Sequence, residues 1–324
     1  CQNGRFVATT CWLFLRPYGW QKKDTRGPTA DPHTMEDTTR EEKYPLLQPI
    51  GDSIEGKVVL VTGANRGIGK AFVDSFLDHG VSKVYAACRS VESAENAFHD
   101  HLEASTQNTE STDEKETPKF GIVVPLRLDL GDPETILEIA RIATDVDIVV
   151  NNAGVLTRTT ALEGETAVHN LQHEMEINVY GFLRLANAFA PLLETRGGKG
   201  ILVQINSVAS MRCAVANAST YSASKAASFS ITQALRGQLG AIGVHVVSVH
   251  PGPINTDMIA DVPALAAIAP RAATVAESLI DSIRSSTNLP PFLLFPDQKA
   301  KGLGKAYQSY AKLVFEEGKA YGEE

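Results

Sequence analysis

Short aliphatic runs recur along the middle of this chain, each followed by a stretch with helical spacing. Val58, Val59, Leu60 and Val61 are consecutive, as expected of a strand buried on both faces rather than one. Similar runs fall at 84–88, 122–128, 147–150, 201–205, 244–249 and 292–295. After the first run, Ala71, Phe72, Phe76 and Leu77 are apolar while Asp74 and Asp78 are polar, which is the stripe of an amphipathic helix. A second helix is expected from about Val91, and others over 133–143, 169–192, 220–239 and 274–283. Strands alternating with helices predict an α/β fold. Its core is a doubly wound parallel sheet of about seven strands, with helices on both faces. Ligands of such sheets bind at the carboxyl ends of the strands.

The flanks have a different pattern. Residues 1–54 are expected to be a leader, either disordered or non-native upstream sequence; the first methionine is Met35. Phe6 opens a short apolar run that ends at Arg16 and Pro17, with no clear cleavage site behind it. Residues 55–300 form the single domain. Within it, 100–118 carry few apolar groups and read as an inserted polar loop. The apolar stretch 254–270 has two open readings, a lid over a substrate and ordinary packing. Residues 301–324 read as a tail.

Composition narrows the possibilities. The net charge of −8 disfavours a nucleic-acid surface. Four scattered cysteines suggest neither a disulfide framework nor a zinc site and fit a reducing compartment, so a cytoplasmic location is expected. No apolar run reaches the ~20 residues of a membrane span. His169 and His173 are four apart, but no third ligand accompanies them, and no metal is expected.

The chemistry gathers at strand ends. Thr62-Gly63-Ala64-Asn65-Arg66-Gly67-Ile68-Gly69 joins the first strand to the first helix. Gly63 permits a tight turn, and Gly67 and Gly69 let the backbone approach a phosphate. The helix N-terminus then faces any bound pyrophosphate with free N–H groups. Tyr221 and Lys225 are four apart on a helix and share a face. An ammonium near the phenol is expected to lower its pKa from about 10, so that it can exchange a proton with a substrate oxygen. Ser207 follows the fifth strand, where its hydroxyl can stabilise a developing oxyanion; Ser210 is its competitor.

Taken with Asn151-Asn152-Ala153-Gly154, Asn178 and Pro251-Gly252, these motifs resemble the classical short-chain dehydrogenase/reductase family over roughly residues 55–295. The resemblance implies a Rossmann-type fold and hydride transfer between a nicotinamide dinucleotide and a carbonyl/alcohol pair. It assigns catalysis to Asn178, Ser207, Tyr221 and Lys225, with Lys225 also on the ribose hydroxyls. Asn178 is implied to kink its helix and hold a water. Asn152, Ala153 and Gly154 are implied beside the adenosine ribose, Asp129 and Leu130 at the adenine, and Pro251, Gly252, Ile254 and Thr256 at the carboxamide. Asn65, Arg66 and Ile68 join the glycines in holding the cofactor. One departure stands out: Ser207 lies fourteen residues before the tyrosine, where the family usually has thirteen.

The second strand ends at Cys88, where NAD-preferring enzymes usually place a carboxylate. Arg89 follows, and a guanidinium suits a 2′-phosphate. Arg66 is expected to reach the same phosphate, with Ser90 offering a hydroxyl. The expected cofactor is NADP(H). The expected substrate is a small, apolar carbonyl or alcohol. The resemblance further implies a homodimer or homotetramer joined through the helices near 169–192 and 220–239. The rival reading is a nucleotide-binding regulatory protein with the same fold and little turnover; the intact Asn178, Ser207, Tyr221 and Lys225 set argues against it.

Overall fold

The structure is a computed structural model, and it describes residues 44–107, 121–285 and 287–311. Seven strands form one parallel sheet in the order β3-β2-β1-β4-β5-β6-β7. They are β1 Val58–Thr62, β2 Lys83–Cys88, β3 Ile122–Arg127, β4 Ile148–Asn151, β5 Gly200–Ile205, β6 Val244–Val249 and β7 Leu293–Leu294. The strand order reverses between β1 and β4, which pair in register from Val59 with Ile148 to Val61 with Val150. That reversal opens the crevice in which ligands of such sheets bind.

Side chains alternate between the two faces, as strand geometry requires. Val59 and Val61 pack with helix α1, Gly67–Asp78, through Phe72 and Phe76. Leu60 faces the opposite layer with Ile136, Phe182, Phe189 and Leu202. Short helices α2 Val91–Ala97 and α3 His99–Gln107 follow β2, and α4 Pro133–Ile142 follows β3. The expected polar loop at 100–118 is therefore helical as far as Gln107; the rest of it lies outside the described residues.

The long helix expected over 169–192 is three segments: α5 Glu165–Met175, a π turn Glu176–Gly181, and α6 Phe182–Glu194. Helix α7, Ser219–Gly240, crosses beside them. The stretch 254–270 contains a 3₁₀ turn Asp257–Ile259 and the short helix α8 Pro263–Ala266. Helix α9 is Ala273–Ile283, and α10 is Gln298–Ala311.

Two corrections concern the flanks. Residues 44–54, expected within the leader, pack against the amino ends of the strands. Tyr44, Leu47, Ile50 and Ile54 are buried. The Gln48 N–H donates to the Gly198 carbonyl at 2.9 Å, and the Gly51 N–H to that of Ser285 at 2.8 Å. Residues 1–43 lie outside the described part. The first eleven residues of the expected tail are helix α10, where Gly304 sits so close to Phe295 that a Cβ would lie 2.5 Å from its ring; residues 312–324 lie outside the described part. Among the described residues no helix is long and apolar enough to cross a membrane, and no three metal-ligating side chains come together.

Candidate active site

The glycine loop supplies the first half of the site. Gly63 and Gly67 have positive φ of 64° and 55°, where a side chain would be strained. A Cβ on Gly69 would lie 2.0 Å from the Gly63 carbonyl, so helix and loop meet this closely only without one. Arg66 makes no side-chain capping hydrogen bond to the first N–H groups of α1. They open on a cavity of about 720 Å³ lined by Asn65, Arg66, Gly67 and Lys70, facing Asn255, Thr256 and Asp257. Such a helix terminus suits a pyrophosphate.

Thr62 braces this loop. Its hydroxyl donates to Asn151 Oδ1 at 3.0 Å and accepts the N–H groups of Asn152 and Ala153. Asn152 Nδ2 donates to the Thr62 carbonyl at 3.0 Å, tying β1 to β4 across the crevice. Asn65 Nδ2 donates to Ser93 Oγ at 2.6 Å, so this side chain fastens the loop to α2.

A second cavity, about 370 Å³, shares Thr256 with the first. Ile68, Asn152, Gly154, Ser207, Tyr221, Lys225, Pro251, Gly252, Ile254 and Thr256 all line it. Ser207 follows β5, and its oxygen accepts the Ala209 N–H at 3.1 Å. The Tyr221 phenol is hydrogen-bonded to Ser207. The extra residue between these two is thus absorbed in the loop before α7. Ser210 does not compete: it is buried, donates to the Ser207 carbonyl at 2.6 Å and pairs with His250.

Asn178 sits inside the π turn and is buried. Its amide clamps the loop after β4, accepting the Val155 N–H and donating to the Val155 carbonyl, both at 2.9 Å. It also donates to Ser224 Oγ at 3.0 Å, and Ser224 donates to the Tyr221 carbonyl. The π turn is what lets one side chain reach both partners, a common device at functional sites. Lys225 is buried beside Gly154, and its ammonium donates to the Ile205 carbonyl at 2.9 Å.

The electrostatics differ from expectation. Burial pushes the Tyr221 phenol up to about 12; the bond to Ser207 opposes this and the Glu174 carboxylate adds to it. The Lys225 ammonium lies 5.9 Å from the ring centroid and donates to the Ile205 carbonyl. Burial lowers Lys225 itself to about 8. The phenol is therefore held protonated, as a donor.

The outlying candidates stand as follows. Arg89 is exposed, with no hydrogen bond or ion pair among the described residues. Arg66 pairs with Asp257 at 2.8 Å instead of pointing to the end of β2. Ser90 caps α2 by accepting the Ser93 N–H, and the Cys88 thiol donates to the Ser90 carbonyl. Asp129 Oδ1 accepts the Gly131 N–H at 2.9 Å, a turn-capping role. The Leu130 side chain is buried, within 2.6 Å of where a Gly181 Cβ would be.

Sequence reasoning passed over several supports. Asp297 is buried and accepts the Gly252 N–H at 2.7 Å, with the Ala300 N–H on its other oxygen. It anchors the Pro251-Gly252 turn to α10. Glu174 is buried and accepts both the N–H and the hydroxyl of Thr157 at 2.7 Å. His250, buried among Ser248, Ser210 and two aromatic rings, supports the Ser207 backbone from beneath. A histidine directly before Pro251-Gly252 was the one available signal; Asp297 and Glu174 offered none.

The short chain dehydrogenase family profile covers residues 57–265. The chain belongs to that family of oxidoreductases. It is 31% identical over 227 residues to the short chain dehydrogenase pigC of Monascus ruber, covering 68% of this chain and 70% of that one. It is 35% identical over 208 residues to a dehydrogenase/reductase SDR family protein 7-like of Anopheles gambiae, covering 63% and 61%. Among solved structures it resembles a short chain dehydrogenase from Burkholderia cenocepacia in complex with NADP. There the TM-score is 0.64 and the identity 26%, with 81% of this chain and 99% of that one covered.

Proposed function

We propose that this protein is an NADP(H)-dependent reductase of small carbonyl compounds. The observation that carries the reading is the convergence of Ser207, Tyr221 and Lys225 in one cavity, joined at Thr256 to the glycine-loop groove. When bound, NADPH would supply the hydride for the carbonyl carbon. Ser207 and Tyr221 hold the carbonyl oxygen, and Tyr221 gives its proton to that oxygen as the alcohol forms. Lys225 orients the ribose and keeps positive charge beneath the phenol. Asn178 positions Tyr221 through Ser224 and fixes the loop opposite. In this role Asn178 acts through hydrogen bonds to protein groups.

Preference for the 2′-phosphate rests on Arg89, which is exposed beside an uncharged Cys88. Arg66 remains available to the same phosphate, because an exposed ion pair such as that with Asp257 holds it by no more than about 1 kcal/mol. The exposed Val168 on α5 and Tyr180 in the π turn suit association with a second copy through the long helices.

Tyr221→Phe should cut carbonyl reduction at least about 100-fold while NADPH binding, read by fluorescence titration, is kept. A variant retaining a tenth of the activity removes Tyr221 from this role. Steady-state kcat/KM should favour NADPH over NADH, and Cys88→Asp with Arg89→Ala should move the preference toward NADH. Equal use of both by the unaltered protein overturns the assignment of Arg89.

A further inference from the structure

The catalytic cavity has apolar walls that include Leu156, Val208, Ile259 and Leu265. Its charged lining residues are Arg158, Arg212, Lys225 and Lys299. All four are cations, in a chain with 38 acidic and 30 basic side chains. Two of them are engaged. Lys225 donates to the Ile205 carbonyl, and Arg158 makes a two-pronged pair with Asp261 at 2.7 and 2.9 Å.

Arg212 and Lys299 are not. Both are exposed, and neither has an ion pair or hydrogen bond among the described residues. They arrive from separate elements, Arg212 from the loop between Ser207 and α7 and Lys299 from the first turn of α10. Both charges are solvated and uncommitted to protein partners, so they remain available to a guest. A guest carrying its own negative charge would meet two cations, one of them a guanidinium able to grip a carboxylate with parallel hydrogen bonds. The cavity volume falls in the ~300–1,000 Å³ range of small-ligand sites.

We infer that the substrate is an anionic carbonyl compound: an aliphatic body carrying the reacting carbonyl at one end and a carboxylate at the other, the carboxylate held at the rim by Arg212 and Lys299. The inference rests on the reductase reading above and adds the charge of the substrate. Rim contacts of this kind act on binding, so they lower KM rather than raise kcat.

The test uses the full chain with NADPH and two probes, an aliphatic ω-oxo carboxylate and its methyl ester. The carboxylate should be preferred in kcat/KM by roughly threefold to tenfold, mostly through KM. The preference should shrink as salt rises from about 0.05 to 0.5 M. It should fall to near one in the Arg212→Ala, Lys299→Ala double variant, whose changes lie on the surface and leave the core intact. Equal or better use of the ester, or a preference unmoved in the double variant, overturns the inference and leaves the reductase reading standing. Turnover of neither probe removes the reductase reading, and this inference with it.

Discussion

A phenol held at about 12 beside an amine held at about 8 makes the site directional in its response to pH. In the proposed mechanism reduction uses the protonated phenol, which is present throughout the neutral range, and oxidation of the alcohol would need the phenolate. Its rate should rise about tenfold per pH unit, up to the highest pH the fold survives. A plateau in oxidation below pH 9 would show that the phenol ionises much lower in the working complex. His250 gives a second pH dependence, in stability. Burial lowers it to about 4, helped by the Lys225 charge and opposed by the Ser207 carbonyl. The unfolded chain titrates near 6.5, so it holds the extra proton between those values. Stability is therefore full above pH 6.5 and falls toward pH 4, by about 3 kcal/mol for this group. Urea unfolding at pH 7 and 4.5 should show a smaller drop for His250→Gln than for the unaltered protein. The residues visible in sequence were those with local spacing: three glycines in one turn, and a tyrosine four before a lysine. The pairing of Arg66 was not legible because Asp257, its partner, is 191 residues away. Glu174 was missed because a carboxylate on a helix ordinarily faces water.

At the scale of elements, the strands were the most legible, since β-branched runs buried on both faces leave no competing reading. The 169–192 helix was legible as helix, but not its π turn, because no residue pattern marks the one extra residue in that ladder. Close approaches between elements give sharper expectations. Gly69→Ala puts a methyl against the Gly63 carbonyl oxygen, and backbone must move. Such overpacking should cost about 1–3 kcal/mol. It should also weaken NADPH binding at least tenfold, by opening the loop. Calorimetry together with a binding titration separates the two effects, and unchanged affinity would mean the loop relaxes freely.

The whole molecule keeps its support and its chemistry at opposite ends of the sheet. Residues 44–54 strap the amino ends of the strands, where Tyr44 lies against Gly240. Tyr44→Ala should lower stability by about 3 kcal/mol, within the range for losing a buried aromatic ring, with kcat/KM of the folded enzyme within twofold of normal. A large loss of kcat/KM without a change in melting temperature would contradict that separation. The strap was illegible beforehand because its buried residues, Tyr44, Leu47, Ile50 and Ile54, follow neither strand nor helix spacing. The contact between Asp297 and Gly252 bears on the order in which the chain is made. Translation delivers the glycine loop first, then the tyrosine and lysine, then β7. Asp297, Lys299 and Leu303 come only after the sheet is complete. A nascent chain that has released Leu294 but not α10 holds every proposed catalytic side chain, yet its Gly252 N–H has no carboxylate to meet. The proposed active site is thus finished only after the sheet that carries it.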